Sequence, residues 1–180
     1  ASAAVAAVTP AAPKNNSGGG SVSGSDGSIS GHEYVDLGLP SGLKWATCNV
    51  GASQPEEHGS FFAWGDLSAK NRYSYSNSLN REKSFEQLHS SGVIGADRNL
   101  SPAFDPATKN WGGSWRMPTC EEIKELMDNC TTEWTSMNGV NGCKVTSRGN
   151  GKSIFLPAAG YRLEDSLIGV GARGCYWSST

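Results

Sequence analysis

Residues able to do chemistry are few and scattered in this chain. The three histidines, His32, His58 and His89, share no HExxH spacing and flank no GxSxG turn, the patterns that bring imidazole to a metal or a nucleophile. Asp97, Asn99 and Ser101 match the first ligand positions of a calcium loop. Pro102 and Thr108 stand where that loop requires glycine and glutamate, so an Asx-type turn is expected instead. Glu164 and Asp165 are neighbours with no second carboxylate pair close in sequence, and glycosidase-type acid/base work needs two carboxylates at a set separation. A solvated loop is the default expectation there. Of the five cysteines, Cys48, Cys120, Cys130, Cys143 and Cys175, none forms a CxxC pair, which argues against zinc. No catalytic residue, metal or cofactor is expected.

Side chains suited to contact are better represented. Tyr73, Tyr75, Tyr161, Arg162, Glu164 and Asp165 combine aromatic and charged groups in segments that read as loops and short strands, and they are the candidate ligand-binding residues. Trp111, Trp115 and Trp177 could form a flat platform for a sugar face, but core packing is the stronger expectation because buried aromatics dominate core energetics. Arg116 is expected to bond loop carbonyls or to pair with an acid rather than to hold an anion.

The elements that must position these residues are legible in part. Val35, Leu37 and Leu39 alternate with Asp36 and Gly38, the period of a half-buried strand, and Pro40-Ser41-Gly42 turns it back toward Leu43 and Trp45. GSFFAWGD, residues 59–66, is a third short apolar stretch. Tyr73 to Ser76 reads as a short strand or extended loop, and Ser84 to His89 as a helix start. Asp105-Pro106 supplies an N-cap and an N1 proline, with Gly112 as the stop. Thr119 and Glu122 form a capping box, followed by Ile123, Leu126, Met127 and Cys130 as one apolar stripe. Lys144–Ser147 and Ser153–Leu156 flank RGNGK as a hairpin, and Tyr161–Leu163 leads into the Glu164-Asp165 loop. Strands, then helices, then strands predict an α+β fold.

The cysteines admit few bridges. Cys120 and Cys130 lie at opposite ends of one predicted helix, about 15 Å apart, beyond disulfide reach; Cys130 with Cys143 stays open across a loop, and burial as free thiols is the plain expectation.

With 180 residues, 23 of them glycine, 18% charged and a net charge of −2, the chain suits one loop-rich domain. No basic cluster points to nucleic acid, and no run approaches a membrane span. Residues 1–31 pass from Ala/Val/Pro into NNSGGGSVSGSDGSISG, the composition of a low-complexity arm or flexible linker. The globular part is expected over residues 32–180.

Five blocks in order, HEYVDLGLPSGLKWATCNVGA, FFAWGD, DPATKNWGGSWRMPT, NGVNGCKVTSRGNGKSIFLPAAGYR and GCYWSST, resemble the Fibrobacter succinogenes major paralogous domain over about residues 32–180. The resemblance implies a C-type-lectin-like fold, related to formylglycine-generating-enzyme-like domains, and further strands after the YWSS block, so that the domain is expected to be incomplete at its C-terminus. It implies a non-catalytic recognition or adhesion domain at a bacterial cell surface or outside the cell, binding a glycan or surface protein. The alternative expectation is a structural fibre or decoration domain of a phage virion or surface appendage, anchored by residues 1–31 to a partner or to other copies in a homo-oligomer. A formylglycine-generating enzyme is the least favoured, since Cys175 is the one late cysteine where that branch uses a pair.

Overall fold

A computed structural model describes residues 22–180 and two short strands in the N-terminal arm. In chain order the strands are β1 (Ser2–Ala3), β2 (Ala7–Val8), β3 (Gly27–Ile29), β4 (His32–Val35), β5 (Lys44–Ala46), β6 (Phe61–Phe62), β7 (Trp115–Arg116), β8 (Cys130–Met137), β9 (Val140–Ser147), β10 (Ser153–Pro157), β11 (Tyr161–Leu163) and β12 (Ser166–Ile168). The helices are α1 (Phe85–Ser90), α2 (Pro106–Trp111) and α3 (Cys120–Asn129). Small antiparallel sheets with a few short helices make this an α+β fold. Among the described residues three sheets form, in the orders β3-β4-β5-β2-β7, β12-β11-β1-β6 and β10-β9-β8.

The first sheet divides two cores. Tyr34 pairs with Ala46 and Val35 with Trp45. Adjacent strand residues point to opposite faces, so Tyr34 and Ala46 join Phe62, Trp111, Trp115 and Met117 in one cluster. Val35 and Trp45 join Leu37, Leu43, Leu126 and Ile154 in the other. The alternation Val35, Leu37, Leu39 is fully buried while Asp36 and Gly38 are not, but the strand expected over it ends at Val35, and Leu37 and Leu39 reach the core from irregular backbone. The turn over Pro40–Gly42 forms as expected, closed by the Gly42 N–H to the Leu39 carbonyl at 2.8 Å.

The segment read as a linker contributes structure before residue 32. β3 pairs with β4, Ser23 and Ser153 exchange hydrogen bonds, and the Asp26 carboxylate accepts the Asp36 N–H at 2.8 Å. Of the rest of the arm, residues 1, 4–6 and 9–21 lie outside the described residues, and the tether reading of the Gly/Ser run falls largely there.

Helix boundaries follow their caps. Asp105 accepts the N–H groups of Ala107 and Thr108 and Gly112 stops α2 at φ +66°. In α3, Thr119 Oγ1 accepts the Glu122 N–H at 3.2 Å and Glu122 Oε2 accepts the Thr119 N–H at 2.8 Å. The apolar stripe is narrower than its spacing predicts: Leu126 is buried but Met127 is 51% exposed. The helix ends at Asn129, so Cys130 is buried as the first residue of β8, not as a fourth rung of the helix. All five cysteines are free. Cys130 stands opposite Ser147 and Cys143 opposite Trp134, four residues apart on the ladder, a separation of about 13 Å that no disulfide spans.

Candidate functional site

Among the described residues, a concave site lies where the exit of β6 meets the C-terminal segment. Its cavity of about 610 Å³ is lined by Trp64, Asn80, Arg81, Lys83, Leu88 and Trp177, among others. That volume is within the range of small-molecule sites. Two indoles build it by cross-lacing. Trp64 Nε1 donates to the Ser178 carbonyl at 3.0 Å, and Trp177 Nε1 donates to the Phe62 carbonyl at 2.8 Å. Each ring is thereby oriented by the segment that carries the other, and both stay half-buried, with apolar surface left at the cleft. The C-terminal segment is further held by the Leu100 N–H to the Ser179 carbonyl and the Ser179 N–H to the Pro118 carbonyl, at 2.7 and 2.8 Å.

The polar wall comes from residues 78–83. Asn80 is buried, and its Oδ1 accepts from Lys83 Nζ at 3.0 Å. Gly65, at φ +74°, lets the Asn80 amide come within 2.5 Å of where a Cβ would sit, an approach open only to glycine. Arg81 and Lys83 are exposed at the mouth, and the Arg81 guanidinium lies 4.0 Å from the centre of the Tyr75 ring. Two half-buried indoles, an amide and two cations suit a ligand with a flat apolar face and an acidic group.

The sequence-selected residues divide between this cleft and a second patch. Tyr75, 60% exposed, lies under Arg81, whose guanidinium also borders the cleft. Tyr73, expected at the surface, is 3% exposed and cannot meet a partner. Its hydroxyl donates to the Phe61 carbonyl and accepts the Lys70 N–H, and its backbone is bridged to Glu164 in both directions. Tyr73 is buried because the alternation with Ser74 points it inward, beneath the β11–β12 turn. Tyr161, Arg162, Glu164 and Asp165 gather on that hairpin. Arg72 Nε meets Glu164 Oε2 at 2.7 Å and Arg72 Nη1 lies 3.9 Å from Asp165; Arg173 lies over the Tyr161 ring and Arg162 over Phe61. Part of this surface is therefore committed to internal pairs.

Other expectations resolve simply. Trp111 and Trp115 are core residues, edge to face at 5.1 Å, with Trp111 also stacked on His32 at 4.2 Å. Burial lowers the His32 pKa below its ordinary value. Trp177 packs on the same core but reaches the cleft with its remaining surface. Arg116 pairs with Glu122 and donates to the Met117 carbonyl. Asp97 caps an Asx turn, accepting the Asn99 N–H at 3.2 Å. Among the described residues no group of three or more His, Cys, Asp or Glu side chains is arranged to hold a metal ion.

Trp64, Asn80, Arg81 and Lys83 escaped the reading of the sequence. Residues 67–104 show no clean period, and nothing local signals that residue 80 faces residue 177. The one usable sign was the tryptophan in each of two separate short blocks, FFAWGD and GCYWSST.

Comparison of the chain with protein-family models, with curated proteins and with solved structures yields no match.

Proposed function

We propose that this chain is a non-catalytic recognition domain with C-type-lectin-like architecture, working at a cell surface or outside the cell. It binds a glycan, or a protein ligand of similar chemistry, in the Trp64–Trp177 cleft. The observation that carries this reading is the cross-laced indole pair with Arg81 and Lys83 at its mouth. Trp64 and Trp177 belong to two of the blocks on which the family resemblance rests, and they meet in one place. The rings offer a face to a pyranose, and the two cations favour a sugar bearing a carboxylate or sulfate.

The test is a glycan array followed by calorimetry on the full chain. Acidic oligosaccharides should bind, and Arg81→Ala/Lys83→Ala should weaken binding at least about tenfold, the scale set by losing two charge-assisted contacts. Both side chains are exposed, so the variant is expected to fold. An array without a hit, or binding indifferent to the double substitution, would sink the cleft as the site.

A second reading, a structural domain of a fibre, virion or surface appendage held through the N-terminal arm, is favoured by the arm's two strands lying inside the body's sheets.

A further inference from the structure

Two of the three sheets are completed by the arm. β2 lies between β5 and β7, with Ala7 opposite Trp45 and Arg116 and Val8 opposite Lys44 and Trp115. β1 lies between β6 and β11, with Ser2 opposite Phe62 and Tyr161 and Ala3 opposite Phe61. Every flanking strand belongs to the folded body, so each slot is built by residues far along the chain and filled by Ser2–Ala3 or Ala7–Val8. A slot of this kind recognises backbone. Its N–H and C=O groups pair with any extended segment whose side chains fit, which is the physics of strand addition.

The connection between filler and body is long. Residues 9–26 separate β2 from β3, and a chain of that length extends to as much as about 60 Å. A domain of this size has a radius of gyration of about 15 Å. The arm can therefore reach the same two slots on a neighbouring molecule. Each inserted strand is two residues long, so few hydrogen bonds hold it, and moving it to an identical slot recovers all of them. Exchange of an identical element between copies either closes reciprocally as a dimer or passes from copy to copy. The hairpin beside the β1 slot also presents Leu163, Leu167 and Val170, each 40–49% exposed, an apolar surface that an arriving copy would cover.

We infer that the β5/β7 and β6/β11 slots are strand acceptors for the arm of a second copy of this chain, so that the molecules associate by strand exchange. This deepens the structural reading above and is independent of the cleft. Light scattering after gel filtration, run on the full chain over a wide concentration range, tests it. Dimers and longer species should grow with concentration. Excess synthetic peptide of residues 1–10 should return them to monomers, and the same peptide carrying fluorescein should show saturable anisotropy. Ala3→Pro/Ala7→Pro in the full chain should remain monomeric, because proline removes the strand N–H. If that variant misfolds, the peptide competition on the unaltered chain still decides. A monomer at every concentration, or oligomers indifferent to the peptide, overturns the inference. Neither result bears on glycan binding at Arg81 and Lys83, which is read separately.

Discussion

Arg116 and Glu122 are joined fork to fork, with Nη1 to Oε2 at 2.7 Å, while the same Oε2 accepts the Thr119 N–H at 2.8 Å. One carboxylate thus completes the capping box of α3 and ties it to β7, the strand that carries Trp115. The WGGSWRMPT corner is a joint between helix and sheet, and its arginine is internal to that joint.

Burial by itself would raise the Glu122 carboxyl, but the Arg116 guanidinium and the Thr119 N–H outweigh it and hold the pKa below its ordinary value. Arg116 is raised in turn by Glu122. A depressed carboxyl stabilises the fold above its unfolded pKa, and the contribution disappears as pH falls through the lower, folded value. Glu122→Gln should therefore cost about 1 kcal/mol at neutral pH, a figure reduced for the partial exposure of both partners. The difference from the unaltered chain should shrink toward zero in acid, below about pH 4. Urea denaturation at several pH values checks both. A gap that stays constant with pH would refute the charge argument.

Asp105 joins α2 to the same corner from the other side. Oδ1 accepts the N–H groups of Ala107 and Thr108, and Oδ2 accepts that of Met117 at 2.8 Å. Burial raises its pKa despite these donors. The sign is opposite to that of Glu122: a raised carboxyl favours the fold most below its unfolded pKa and loses that contribution as pH rises through the folded value. Asp105→Asn keeps one acceptor and turns an amide donor toward a donor N–H. It should cost about 1–3 kcal/mol, the penalty for an unsatisfied buried group. Carbon-13 NMR should find Asp105 titrating above the usual aspartate range.

Gly160 and Gly139 separate steric cost from conformational cost. Both have positive φ, +69° and +82°. A Cβ at Gly160 would lie 2.2 Å from the Ile168 carbonyl oxygen, whereas Gly139 has nothing within 4 Å. Gly139→Ala should cost about 1 kcal/mol, the price of a left-handed alanine. Gly160→Ala should cost several-fold more, because the Ile168–Val170 backbone it meets cannot yield. Equal losses in Tm would contradict this.

Thiol chemistry should rank by exposure. Cys120 is exposed, while burial raises Cys48, Cys130 and Cys143 above the ordinary thiol range. A chromogenic disulfide reagent should modify Cys120 first and Cys130 last, since the thiolate is the reacting form. All five should react without reductant once the chain is unfolded. Fewer than five would reveal a bridge.

Local signals in the chain carried much of this. The caps Asp105 and Thr119, the RGNGK hairpin and the alternation at Val35, Leu37 and Leu39 each depend on residues within a few positions of one another, so the sequence displays them directly. The same holds for the acid that pairs with Arg116, since Glu122 is six residues away. The cleft and the slots were hidden because their parts are distant: Trp64 with Ser178, Trp177 with Phe62, Ala7 with Trp45 and Arg116.

Sequence alone determined the α+β class, the helix starts at Asp105 and Thr119, the turns and part of the core, because propensity, capping and periodicity are short-range effects. Tertiary structure decided that Tyr73 is buried and Met127 exposed, that Cys130 and Cys143 stand too far apart to bond, that two tryptophans enclose a cleft, and that an alanine-rich arm completes two sheets. Those outcomes rest on which surfaces meet, and a surface is assigned a partner only when the whole chain has closed around it.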